Sequence, residues 1–183
     1  VTATPAGATR VWDRAVRCIH WSLAATCAAA WITTAIGMRW HEPLGYVALA
    51  LVALRIVWGF AGGRYARFSQ FVRSPRATWA YAVQVARGAA PRYLGHNPLG
   101  GWMALTLWGC IALLGFTGWL YTTDAFWGEA WLDRTHQVLG WSTLALVVLH
   151  LAGVALTARQ HREKLVKAML SGEKPAAGPG DVA

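Results

Sequence analysis

The chain has 183 residues, enough for one domain, but 56% of them are hydrophobic, only 14% are charged and 12 are tryptophan, a composition unlike that of an average soluble domain. A net charge of +9 raises the question of nucleic acid, yet the basic residues are gathered between long apolar runs, which excludes a nucleic-acid partner and points to membrane topology. The three cysteines, Cys18, Cys27 and Cys110, sit in apolar segments without a C-x-x-C spacing, which excludes a disulfide framework and a thiolate metal cluster; buried, inert thiols are expected.

The N-terminal segment VTATPAGATRVWDRAVR lacks the short apolar stretch and small-residue cleavage site of a removable leader, so the first long apolar run is expected to be a retained helix. That run is CIHWSLAATCAAAWITTAIGM; PLGYVALALVALRIVWGFAGG, LGGWMALTLWGCIALLGFTGWLY and WLDRTHQVLGWSTLALVVLHLAGVALTA follow. Each is long enough to cross the roughly 30 Å hydrocarbon core of a bilayer. The sequence predicts membrane helices over 14–38, 42–63, 98–122 and 131–159, an all-α, integral membrane four-helix bundle. Between the second and third runs, SPRATWAYAVQVARGAAP offers Ser74 as N-cap, Pro75 at the first helical position, and Gly88 and Pro91 as stop signals. Trp79, Val83 and Ala86 share one face with arginines beside them, which predicts a helix over 75–88 lying on the inner membrane surface. HNPLGG reads as the turn into the third helix. The tail after the 1–174 domain, residues 175–183, is small and rich in Pro and Gly, and is expected to be disordered.

Arg10, Arg14 and Arg17 precede the first helix; Arg64, Arg67, Arg73, Arg76, Arg87 and Arg92 lie between the second and third; Arg159, Arg162, Lys164, Lys167 and Lys174 close the fourth. Only Arg39 and Arg134 fall on the other side. Cytoplasmic loops carry this excess of positive charge, so both termini and the 64–98 loop are expected in the cytoplasm. The opposite face carries Glu42, Asp124, Glu129 and Asp133, a mildly acidic surface suited to a basic soluble partner. Trp21, Trp31, Trp40, Trp102, Trp119, Trp127 and Trp131 gather near predicted helix ends, where amphipathic rings favour the membrane–water interface.

Of six histidines, His96 in the inner loop and His161 in the basic tail read as structural or solvated. His20, His41, His136 and His150 lie in or at the ends of membrane helices, where an ionisable side chain is costly and is a functional candidate by default. His136 and His150 are 14 residues apart, which puts them on nearly one helix face about 21 Å apart along the axis. One metal ion cannot bridge that distance, so two stacked centres are implied. Topological depth chooses the partners: His41 opens the second helix at the outer surface with His136, and His20 lies at the inner end of the first with His150.

Neutral imidazole is a good iron ligand, and haem is a large apolar disc that suits the interior of a helix bundle. The absence of C-x-x-C-H makes any haem non-covalent. HEPLG and HQVLG place Gly45 and Gly140 four residues after their histidines, one turn along the same face, where a side chain would collide with a haem plane. Ala24 and Gly153 stand near His20 and His150; ordinary small-residue packing between helices is the competing reading. Arg55, 14 residues after His41, shares that face at the depth of the inner centre. It either binds an inner-haem propionate or snorkels to the cytoplasmic interface.

VWDRAVRCIHW, HEPLGYVALALVALRIVWGF, the loop from ARFSQFVRSPRATWAY to PRYLGHNPLGGW, THQVLGWSTLALVVLHLAG and HREKLVKAMLSGEK, together spanning most of residues 10–174, resemble the bacterial four-helix di-haem cytochromes of the b-561 type, which include b-type cytochrome subunits of nickel hydrogenases. The resemblance implies two non-covalent b haems on His20, His41, His136 and His150. It also implies an inner (plasma) membrane location and electron transfer between quinone or quinol and a redox protein, with a periplasmic c-type cytochrome as the expected partner. Two further readings stand beside it. One is a stand-alone membrane oxidoreductase using quinone and a small molecule such as superoxide, with a b-type cytochrome subunit of a hydrogenase as its variant within the same family; the other is a haem-free metal transporter using the same histidines.

Overall fold

Runs of apolar residues that must leave no backbone group unsatisfied in lipid have the helix as their solution, and the computed structural model, which describes residues 7–183, places them so. In chain order the elements are β1 (Ala8–Arg10), α1 (Arg14–Ile36), α2 (His41–Ala61), α3 (Phe68–Phe71), α4 (Pro75–Ala86), α5 (Pro98–Tyr121), α6 (Ala130–His161), α7 (Leu165–Ser171) and β2 (Glu173–Pro175). The helices α1, α2, α5 and α6 are long and apolar enough to cross a membrane. With 32 residues, α6 is about 48 Å long at about 1.5 Å per residue, more than the roughly 30 Å hydrocarbon core requires. Residues 1–6 of the N-terminal segment, part of the stretch expected to lack a cleavage site, lie outside the described residues.

The chain divides into two units, one made of Cys18–Ile56 and Leu105–Leu149, the other of the segment up to Arg17, Val57–Ala104 and everything from His150. The first unit is purely helical. Its core is Leu23, Ala48, Val52 and Ile111, with Cys27, Leu51 and Trp108 packed against it. Trp31 of α1 meets Trp141 of α6 edge-on at 5.0 Å. Gly115 of α5 lies where the Leu49 side chain of α2 comes in, and a methyl there would overlap it, the use of small residues that lets membrane helices close up. Ile32, Ile36, Phe116, Val148 and Leu149 are exposed, as an apolar helix surface facing lipid should be. Cys18 is exposed and Cys27 and Cys110 half-buried, all three unpaired. The expectation of buried thiols is corrected because helices with apolar residues all round can turn a cysteine outward to lipid at no cost.

The second unit joins chain ends through hydrogen bonds. β1 pairs antiparallel with β2, Ala8 against Pro175, Thr9 against Lys174 and Arg10 against Glu173. The Val11 and Trp12 amides both donate to the Gly172 carbonyl, at 2.9 and 3.1 Å. Around this seam a core forms from Val11, Trp12, Val16, Tyr65, Ala66 and Leu94. Asp13 caps α1, accepting from the Val16 amide at 2.8 Å and from the Trp58 indole at 3.0 Å. Ser74 caps α4 by accepting from the Ala77 amide, Pro75 begins it, and Gly88 follows it at φ 68. Tyr81 is buried on that helix; burial, then the neighbouring Tyr93, pushes its phenol up to about 12, while Trp79 is 74% exposed.

The tail expected to be disordered is instead held. Arg92 donates from Nε to Glu163 at 2.7 Å, pairs with Asp181 and donates to the Pro175 carbonyl at 2.9 Å. Lys174 lies 2.9 Å from the other Glu163 oxygen and donates to the Tyr93 carbonyl at 3.1 Å. The Val182 amide donates to the Arg92 carbonyl and the Leu94 amide to the Val182 carbonyl, so Tyr93 and Val182 form a parallel bridge. A tail with too few apolar residues for a core is thus ordered by charge and backbone pairing.

Candidate functional site

Gly37, at φ 143, a conformation few other residues adopt, lets the chain leave α1 through the short turn Met38–Trp40 and re-enter α2 at His41. The His41 ring therefore lies against the last turns of α1. Its Nδ1 is 3.0 Å from the Ala30 carbonyl and 3.4 Å from the Thr33 hydroxyl, which itself donates to the Ala30 carbonyl at 2.7 Å. A carbonyl only accepts, so His41 carries its proton on Nδ1 and leaves Nε2 with a free lone pair.

His136, in the second turn of α6, is turned towards α5. Its Nδ1 lies 2.9 Å from the Thr117 hydroxyl oxygen, and a Cβ at Gly118 would come within 3.3 Å of its Cε1. The His41 and His136 ring centroids are 6.0 Å apart, with the planes at 74°. Two metal–nitrogen bonds of about 2 Å and about 1 Å from each bonded nitrogen to its ring centre also sum to about 6 Å, so the separation fits one metal held between the imidazoles. Engaging the second ring nitrogen of each histidine is the usual second-layer support of a metal ligand.

The donor set argues for a macrocycle. Among the described residues no three of His, Cys, Asp and Glu gather as a bare ion would require; two imidazoles suffice when a porphyrin fills the other four positions. Space beside the pair agrees. Gly45 is half-buried, yet a Cβ there would meet nothing within 4 Å, and one at Gly140 would reach only the edge of Trp31 at 3.9 Å. Both glycines border room that a side chain would take.

The other predicted residues are placed as follows. His20, on α1, is half-buried with its ring edge-on to Trp21 at 5.1 Å. His150 is half-buried on α6 and belongs to the other unit, so its pairing with His20 rests on helical spacing. Arg55 is 3% exposed, its guanidinium carbon 4.7 Å from the Trp108 ring centre, a cation–π arrangement inside the protein. His96 is seated between Trp12 at 4.8 Å and Phe71 at 4.9 Å. Thr117, Gly118 and the Ala30 carbonyl are absent from the expectations drawn from sequence. The one signal for Thr117 was a hydroxyl within the apolar run LLGFTGWLY.

Comparison with known proteins adds an independent finding: a family model described as prokaryotic cytochrome b561 matches residues 11–172. Searches of the curated proteins and of the solved structures each returned no match. The matched span takes in all four long helices and His20, His41, His136 and His150, and the chain belongs to the prokaryotic cytochrome b561 family, integral membrane proteins that bind b-type haem and carry electrons across the membrane.

Proposed function

We propose that the chain holds two b haems, one between His41 and His136 and one between His20 and His150, and passes electrons between quinone and a soluble redox protein. The observation that carries the reading is the His41–His136 pair, 6.0 Å between ring centroids with both Nδ1 atoms engaged. The inner pair is supported by the 14-residue step from His136 to His150, about 21 Å along α6.

Bound haem supplies reversible one-electron storage at iron. The chain's own residues set what that storage is used for. Held by His41 and His136, and by His20 and His150, the haems would be suited to electron transfer rather than to oxygen binding. Thr33 and Thr117, which contact the two imidazoles, are buried, and Gly45 and Gly140 leave clear the face next to His41 and His136. Arg55, buried beside Trp108, is offered as the partner of a propionate, since a buried cation needs an anion or a π face to offset its desolvation.

The excess of Arg and Lys in the segments around the termini and the 64–98 loop supports an inner-membrane topology with both termini in the cytoplasm. Glu42 beside His41, Asp133 one turn before His136, and Asp124 and Glu129 between α5 and α6 are all exposed. That acidic surface suits a basic c-type cytochrome on the periplasmic side, with association weakening as salt rises. The test is a redox relay in liposomes. A soluble quinol analogue should reduce the b haem, and added c-type cytochrome should reoxidise it, faster at low ionic strength. Haem that neither partner reduces nor oxidises would remove quinone and c-type cytochrome from the account.

A further inference from the structure

We propose that Thr117 and Gly118 of α5 form the seat of the His136 imidazole, with the Thr117 hydroxyl fixing its tautomer and setting its strength as an electron donor to the outer haem. The proposal rests on the reading of His136 as a haem ligand and adds to it a residue that positions the ligand without touching the iron.

The direction of the hydrogen bond follows from counting protons. A hydroxyl has one proton to give and lone pairs to accept with. The Thr117 oxygen lies 2.8 Å from the Leu113 carbonyl and 3.1 Å from that of Leu114, both of which can only accept, so its proton is committed back to its own helix. Towards His136, at 2.9 Å, the same oxygen must accept, and the proton between them belongs to Nδ1. Nε2 is then the lone-pair nitrogen. Thr117 is 7% exposed, so water does not compete for the bond.

Gly118 supplies the second half of the seat. A methyl at that position would come within 3.3 Å of His136 Cε1, closer than most carbon contacts, and would push the ring off the line set by Thr117. At His41 the Nδ1 proton goes to the Ala30 carbonyl, which no side-chain replacement removes; His136 has a main-chain partner in Leu114 and, beside it, the Thr117 hydroxyl. The Thr117 hydroxyl, 2.9 Å from His136 Nδ1, is the part of the His136 support that a side-chain change deletes.

A proton donor engaged by an acceptor gives imidazole some imidazolate character, strengthens its bond to iron and favours the oxidised metal. Deleting the acceptor should therefore raise the midpoint potential of one haem and leave the other in place. The test is a spectroscopic redox titration of the full haem-loaded chain in detergent, together with low-temperature EPR of the ferric form, for Thr117→Val, Thr117→Ala and Thr117→Ser. Val keeps the shape and loses the oxygen; Ser keeps the oxygen.

The expected result groups the variants by oxygen and not by size. Val and Ala shift one haem's potential upward, with a change in its ferric EPR signal, and Ser titrates like the unmodified protein. Loss of one haem from Val and Ala with retention in Ser would support the same conclusion. Val matching the unmodified protein, Ser shifting with the others, or all three losing haem would overturn it. Gly118→Ala should perturb the EPR signal of the same haem, and an unchanged signal would remove Gly118 from the seat. His136→Ala separates the two claims: if it retains the full haem content, the ligand assignment itself fails, whatever Thr117 does.

Discussion

Replacing Glu163 with Gln deletes the charge at the centre of the tail's anchorage. Its side chain and that of Lys174 are each 5% exposed, and the two lie 2.9 Å apart. Arg92 approaches the same carboxylate at 2.6 Å through Nη2. Burial holds the Lys174 ammonium below the ordinary lysine value, with Glu163 acting against that shift. In Glu163→Gln both cations keep their places without this compensating charge, and removing one partner of a buried pair costs about 3–5 kcal/mol. At about 1.4 kcal/mol per factor of ten, even the lower figure makes local release of the tail about a hundredfold more frequent. Hydrogen exchange by mass spectrometry on peptides covering Glu173–Ala183 reads this directly, because the Val182 amide is bonded to the Arg92 carbonyl at 2.8 Å and exchanges only on opening. Exchange within about threefold of the unmodified protein, far below the hundredfold expected, would refute the argument that this network holds the tail.

Acid should have a related effect through Asp181. The Gly178 amide, and then Arg92, hold its carboxyl below the usual range against the opposing effect of burial. A carboxyl depressed in the folded state contributes stability above its unfolded value of about 4 and loses it as pH falls through the lower folded value. Tail protection, corrected for intrinsic exchange, should therefore hold at neutral pH and decline in acid, and Asp181→Asn should lack that dependence; an identical pH profile in the variant would contradict it. At the proposed outer haem site, Gly45→Leu adds a side chain where a Cβ would meet nothing within 4 Å and should cost the chain one haem while the other stays. An undiminished haem content would show that this space is not the one the macrocycle uses.

The four long helices were legible because lipid imposes a single demand, about twenty apolar residues in succession, that composition alone reveals. The caps of α4 were legible too, since Ser74, Pro75 and Gly88 act on their own neighbours. The candidate ligands stood out for a different reason, the cost of placing imidazole in an apolar helix. Thr117 did not stand out, because a threonine can satisfy its hydroxyl on its own helix. Its second role, accepting from a histidine 19 residues away, exists only once α5 and α6 are packed. The tail was misjudged on similar grounds: its composition predicts no core, and its order comes from Arg92 meeting Asp181 across 89 residues. Local pattern reports what a segment can bury, and long-range polar pairing leaves no such trace.

The central claim is that four histidines hold two haems in the stated pairs. Haem content per chain, by pyridine haemochrome assay, for the unmodified protein and for His41→Ala, His136→Ala, His20→Ala and His150→Ala decides it, with redox spectra identifying the haem that remains. The account predicts two haems in the unmodified protein and one in each variant, with His41→Ala and His136→Ala keeping the same haem and His20→Ala and His150→Ala keeping the other. One haem in the unmodified protein, or His41→Ala and His136→Ala keeping different haems, would contradict it.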